Sequence, residues 1–292
     1  MDWRIASIGT LSSHPMWNER GELRTGHATT TVVKSDGATL LVDPSLPPMM
    51  LDARLNERWG MDLSSVTHVF LTSFDPDRRR TLEGLGHASW YMHEPEIQSA
   101  KVAIDDELHR ADDDQEVCDI LGQHLNLLMK FDVPNDHMLP HVDLFPLPGY
   151  TPGSCGLLLL SASKTVLICG DTIATQEHLD KGVVVSNCAC AEDAMEAFKE
   201  CIEIADIFVP GRDNVLATLQ QLEHYRSRRL QSPNQLCDDF DFGIGRDLRQ
   251  VGGQHPAGQI ATALLVQVLH HDARKLDLLP RVSRDTIDLL GQ

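Results

Sequence analysis

At 292 residues, 42% of them hydrophobic, the chain has the length for one large domain or two ordinary ones and the composition for a sizeable core. Its formal net charge of −18 argues against nucleic acid and anionic membrane surfaces as partners, because a phosphate-binding face needs clustered Lys and Arg whose attraction survives the protein's own field. Met1-Asp2-Trp3-Arg4 lacks a basic, apolar leader, no apolar run approaches the ~20 residues of a membrane span, and the 7 cysteines have no regular spacing; together these point to a reducing, cytoplasmic location.

Strands are expected over 4–9, 28–34 and 38–43, the last two joined by a hairpin whose turn signal is Asp36-Gly37. A helix is expected over 49–58, then a buried strand over 67–72. Residues 78–85 read as a helix start and Ser89–His93 as a strand. The stretch 107–130 is mixed, and its acidic run at 112–114 reads as a solvated loop or helix start. Strands follow near 142–146, 155–161 and 165–169, with Cys155 and Cys169 as small core residues. Cys188-Ala189-Cys190 has no second pair or histidine cluster to make a zinc site. Glu192–Ala205 carries Ala194, Ala197, Phe198, Cys201, Ile202 and Ala205 at helical spacing, which reads as a core-facing stripe. Ile207–Val209 is a strand and 214–229 a helix. Residues 232–256 are polar and glycine-bearing, and match no phosphate-binding loop. Pro256 opens a helix to about His271 whose apolar span, Ile260–Leu269, needs a buried partner. The division is therefore 1–231 for a layered α/β domain and 232–292 for an extension packed on it or on a second subunit, with the 256–271 helix as a candidate homodimer interface.

The chemistry concentrates in turns that follow strands. Val69-Phe70-Leu71-Thr72 runs into Ser73-Phe74-Asp75-Pro76-Asp77-Arg78. Pro148-Gly149-Tyr150-Thr151-Pro152-Gly153 follows, then Val166-Leu167-Ile168-Cys169-Gly170-Asp171, then Val209-Pro210-Gly211-Arg212-Asp213-Asn214. In order and punctuation these loops resemble those of the metallo-β-lactamase superfamily over roughly residues 4–230. The resemblance implies an αββα sandwich with a C-terminal helical extension, and a site at one open end of the two sheets. In the family that site holds two metal ions on histidines and aspartates. At the matching positions this chain has Ser73, Asp75, Arg78, Tyr150 and Arg212 in place of histidines, and keeps only Asp77 and Asp171.

Imidazole suits zinc, and none remains at those positions, so a dinuclear zinc centre is not expected. Asp75, Asp77 and Asp171 would bring a charge of about −3 to one place, a density that is costly unless paired. Arg78 and Arg212 carry permanent charge on planar forks suited to carboxylates. The expectation is that they fill the metal volume and contact Asp77 and Asp171. The competing arrangement is a single Mg, Mn or Ca ion on Asp75, Asp77 and Asp171 with Ser73 and waters. Blander roles stay open: Asp77 and Asp171 as caps, Tyr150 as packing with a wet hydroxyl instead of a proton donor. The expected function is a binding, regulatory or structural protein without zinc hydrolase activity. The alternative is a hydrolase of an ester, thioester or lactone acting through Asp75, Asp77, Asp171 and Tyr150.

Overall fold

The computed structural model describes residues 1–111 and 114–217. The expected helix at 256–271, the homodimer contact assigned to it, the loop 232–256 and the boundary at 231 lie outside those residues.

Two mixed sheets form the centre. The first has the order β1 (Asp2–Ser7), β2 (Thr30–Ser35), β3 (Ala38–Val42), β4 (His68–Leu71) and β5 (Ser89–Met92). Its first two pairings are antiparallel, and β3–β4 and β4–β5 are parallel. The β2–β3 hairpin turns through Asp36 and Gly37, both at positive φ (49° and 78°), the backbone a two-residue turn needs to match strand twist. The second sheet contains β6 (His137–Leu139), β7 (Val142–Pro146), β8 (Cys155–Leu160), β9 (Thr165–Gly170), β10 (Ile207–Pro210) and β11 (Leu216–Ala217), in the spatial order β11-β10-β9-β8-β7-β6. Among the described residues only β9–β10 is parallel within it.

Alternation along the strands sorts side chains between layers. Leu40 and Val42 of β3 and Phe70 of β4 meet Val166 and Ile168 of β9 and Leu157 and Leu159 of β8 between the sheets. Their neighbours Leu41, Val69 and Leu71 face the other way, onto Leu51 and Leu55 of helix α1 (Pro48–Trp59), Ile104 of α2 (Glu94–Ala111) and Leu128 of α3 (Gln115–Leu128). Leu167 and Cys169 of β9 and Phe208 of β10 pack outward against Ala197, Phe198 and Cys201 of a helix over Ala191–Ile204. The layers are thus helix, sheet, sheet, helix, the αββα arrangement. A short helix α4 (Gln176–Lys181) precedes that last helix, which is α5. No helix among the described residues is long and apolar enough to cross a membrane.

Several expectations are corrected. Residues 78–85 do not start an α-helix: 3₁₀ turns occupy Pro76–Arg78 and Leu82–Leu85, because Arg78 turns inward to the site instead of continuing a helical face. The stretch read as mixed, 107–130, is largely helical, with α2 running on to Ala111 and α3 over Gln115–Leu128, while Asp114 caps α3 by accepting from the Val117 N–H, in line with the expected helix start. The helix read over 214–229 begins instead as β11, with Ile207 paired to Ala217 and Phe208 to Leu216; the rest of that span is outside the described residues. On α5 the stripe is narrower than its spacing suggests, since Ile202 is exposed.

The strand ends that matter are the C-terminal ends of β3, β4, β9 and β10, which deliver Asp43, Thr72, Asp171 and Arg212 to one end of the sandwich. The turn before β8 reaches the same end and is locked from outside. Gly149 sits at φ +125°, and a Cβ there would overlap the backbone of Ala194 in α5. Adding one therefore combines overpacking with backbone strain. Gly149→Ala should lower stability by about 3 kcal/mol in urea unfolding, whereas alanine at Gly122, where a Cβ meets nothing within 4 Å, should not lower it.

Candidate functional site

The site is built around Arg78. The buried run of β4 ends at Thr72, and the 3₁₀ turn Pro76–Arg78 directs the Arg78 side chain inward until it is 0% exposed. Its Nη1 donates to Asp43 Oδ2 at 2.6 Å. Its Nη2 lies 2.8 Å from Asp171 Oδ2 and its Nε 3.5 Å from Asp75 Oδ2, charge contacts without hydrogen-bond alignment. Three carboxylates therefore surround one fully buried guanidinium.

Asp43 is the member that sequence reading missed. It follows β3 at φ 49° and accepts from both the backbone N–H (2.9 Å) and the hydroxyl (2.7 Å) of Thr72. The family resemblance implies that the Asp43-Pro44 loop faces this end of the sheets, but it does not mark the Asp43 carboxylate as a member of the buried centre. Burial raises the Asp43 pKa, and Arg78 and the Thr72 bonds only partly offset it.

Arg212 completes the network from the end of β10. Its Nε reaches Asp171 Oδ1 at 3.0 Å and Oδ2 at 3.1 Å, and its Nη2 donates to Oδ2 at 2.8 Å. Its Nη1 pairs with Asp77 Oδ2. The guanidinium–carboxylate contacts expected among Arg78, Arg212, Asp77 and Asp171 are present. Burial pushes the Asp171 pKa up, but the charges of Arg212 and Arg78 outweigh it and hold the carboxyl well below the usual range. Burial likewise opposes the charge on Arg212, and Asp171 more than restores it. Backbone space enforces this approach: a Cβ at Gly211 would overlap the Asp171 carboxylate, and one at Gly170 (φ 53°) would come 2.9 Å from Thr72 Oγ1.

The outer part of the site is Asp75 and Tyr150. The Tyr150 hydroxyl donates to Asp75 Oδ2 at 2.8 Å and Ser73 Oγ donates to the same oxygen at 2.7 Å. The Tyr150 hydroxyl is therefore bonded and not free in water as the packing reading had it. Burial, then the charges of Asp171 and Asp75, push its pKa far up, so the phenol keeps its proton. Glu96 of α2, also missed, staples two turns together: Oε1 accepts from Phe74 N at 2.8 Å and Oε2 from Thr151 Oγ1 at 2.6 Å. Asp77 is no helix cap here, since no helix follows and its carboxylate pairs with Arg212.

Above this network lies a cavity of about 350 Å³ lined by Asp75, Asp77, Arg80, Tyr150, Asn187 and Arg212. A second, of about 560 Å³, adjoins it at Asp77 and Arg80 and is walled by residues 22–26 with Ser12. These belong to a strap between β1 and β2. His14 anchors the strap: its Nδ1 accepts from the Met16 N–H, so the proton is on Nε2, facing Thr175 Oγ1 at 3.2 Å and Glu177 Oε2 at 3.3 Å. Trp17 stacks on the His14 ring and donates to Glu177. His93, just after β5, bonds the Gly153 carbonyl at 2.9 Å.

The donor set does not fit a pair of metal ions. The inward carboxylates are each committed to a guanidinium, and a cation entering the same space would meet two fixed positive charges. Among the described residues no group of three or more His, Cys, Asp or Glu side chains is arranged to hold a metal.

The family model of the metallo-beta-lactamase superfamily matches residues 23–229, and the chain belongs to that superfamily. A search of curated proteins finds no match. Among solved structures, a Thermotoga maritima protein described as a metallo-beta-lactamase aligns with a TM-score of 0.53 at 17% identity, covering 74% of this chain and 99% of that one. An N-acyl homoserine lactone hydrolase, solved with N-hexanoyl-L-homoserine at its catalytic metal center, aligns at 0.51 with 15% identity, covering 76% and 94%. The AiiA protein of B. thuringiensis, solved with N-decanoyl-L-homoserine at its active site, aligns at 0.52 with 15% identity and coverage of 76% and 94%. At these identities the likeness is one of fold.

Removing the central charge should be severe. Arg78→Met strands Asp43 and leaves Asp171 to Arg212 alone, and should lower stability by about 3–5 kcal/mol in urea unfolding at neutral pH, with Arg78→Lys restoring only part because a single ammonium cannot replace the fork. The Asp171 shift also fixes a pH dependence. Its folded pKa is depressed, so its stabilisation is complete above the unfolded value of 3.8 and drains away as pH falls toward the folded value. The urea midpoint should drop below about pH 4, less steeply in Asp171→Asn.

Proposed function

We propose that this chain is a metal-free member of the superfamily, a binding protein in which two arginines stand where the family's metal ions stand. The observation that carries the reading is the burial of Arg78, with its guanidinium among Asp43, Asp75 and Asp171. Such a centre neutralises charge but offers no Lewis acid. An arginine has no open coordination position and does not turn a bound water into hydroxide near neutral pH, as a catalytic metal does. The cavity above it remains, lined by polar and charged groups that can hold a small molecule without transforming it.

A hydrolytic reading has one observation in its favour. Asp75 and Tyr150 face the cavity as a hydrogen-bonded pair, and a phenol that keeps its proton can protonate a leaving group. Lactone hydrolysis by the structural neighbours makes an ester, thioester or lactone the class to try. Asp171, by contrast, is buried behind Arg212 and does not reach a substrate in the cavity.

Elemental analysis separates the readings. Protein prepared without chelator or metal-affinity tag should carry less than about one tenth of an equivalent of zinc, manganese, magnesium or calcium, and chelator should not shift its melting temperature. Near-stoichiometric metal, or a melting temperature lowered by chelator, would refute the metal-free reading. Hydrolysis of a lactone or thioester panel that is lost in Tyr150→Phe would favour the alternative.

A further inference from the structure

The two cavities meet at Asp77 and Arg80, and the bonding of Arg80 differs from that of the other cations lining them among the described residues. Arg212 is paired with Asp77 and Asp171, and Arg24 with Glu19. Arg80 donates through Nη2 to the Gly26 carbonyl at 2.9 Å and makes no ion pair among the described residues. A guanidinium bound to one neutral acceptor keeps most of its five donors for a ligand. It lies at the shared edge of spaces of about 350 and 560 Å³, volumes that suit a small organic molecule.

The neighbours of Arg80 restrict what that ligand can be. Asp75 and Asp77 line the first cavity and Glu22 the second. The protein's charge of −18 adds a repulsive field. A dianion such as phosphate, or a polyanion, would have to enter past these carboxylates. A single carboxylate is the charge that Arg80 can match in a two-point fork. The protein partners of Asp75 are all on its Oδ2, so its Oδ1 calls for a hydrogen-bond donor on the same molecule, an ammonium or a hydroxyl, whereas Asp77 is paired with Arg212. Leu23, at the second cavity, offers an apolar surface for a short tail.

We infer that the joined cavities form a binding site for a small amino or hydroxy monocarboxylate, with its carboxylate on Arg80, its donor group toward Asp75, and its tail along the strap. This rests on the metal-free binding reading of the same site and names its ligand class. The Arg80–Gly26 bond ties the strap to the turn after β4, so a carboxylate on Arg80 also sits against the strap.

The test is calorimetric titration of the full chain with L-2-aminohexanoate and 2-hydroxyhexanoate, alongside hexanoate, L-2-aminohexanoate methyl ester and inorganic phosphate. The first two should bind saturably, with hexanoate and the methyl ester at least about tenfold weaker and phosphate weaker still. Arg80→Gln should lose binding by about tenfold or more at an unchanged melting temperature. Absence of saturable binding by both parent ligands, equal binding by hexanoate or the ester, tighter binding by phosphate, or binding indifferent to Arg80→Gln would each overturn the inference. If Arg80→Gln fails to fold, the order of the five probes decides alone. Metal content is measured on each preparation and titrations are repeated with chelator. Metal found would sink the metal-free reading; Arg80 dependence and probe order judge the ligand class separately.

Discussion

A guanidinium fully out of water among carboxylates is the constraint on which this structure turns. Burying any one of these ions alone would be prohibitive, and removing Arg78 would leave Asp43 without a cation and Asp171 with Arg212 alone at the core end of the sandwich. The interaction is self-consistent only as a set. Asp171 stays ionised because Arg212 and Arg78 flank it, and Arg212 stays charged because Asp171 does. Asp43, with a weaker share of positive charge, is held through Thr72 as much as through Arg78.

The sandwich makes this set possible by ending four strands at one place. The parallel steps β3–β4 and β9–β10 bring the ends of those strands side by side, so Asp43 meets Thr72, and Asp171 meets Arg212, across adjacent strands. Glycines then let the Asp171 carboxylate close on the backbone at Gly211 and the Thr72 side chain close on it at Gly170. The Glu96 staple fixes the Asp75 turn to the Tyr150 turn, which sets the Asp75–Tyr150 hydrogen bond at the cavity floor. Fold and site are therefore one construction, in which the helix layers hold the sheets and the sheet ends hold the charges.

Much of this was legible in the sequence because strand alternation and turn punctuation are local. Val166–Cys169 and Leu40–Val42 read as strands from their own residues, and the loops after them could be placed by their order. What was not legible depends on direction. Asp43 looked like any aspartate before proline, and only the left-handed backbone turns its carboxylate toward Arg78. Residues 78–85 carried the residue types of a helix start, yet the inward pull on Arg78 leaves 3₁₀ turns instead. Helix α2 escaped notice since Glu94–Ala111 has only two buried positions, Glu96 and Ile104, so its apolar rhythm is faint. Glu96 itself is a buried carboxylate whose partners, Phe74 and Thr151, are remote in sequence.

The positive charges in this centre are part of the polypeptide. A bound ion is in exchange with its surroundings, and its occupancy follows supply, competition and chelation by mass action. Arg78 and Arg212 have no free pool and no dissociation constant; they arrive in fixed one-to-one stoichiometry with Asp43, Asp77 and Asp171 whenever the chain is made. In the metal-free reading proposed above, maturation of this end of the sandwich is uncoupled from metal homeostasis and completed within the folding reaction. The same covalent tether makes the centre inflexible in composition, because no change in the medium can swap its cation for another.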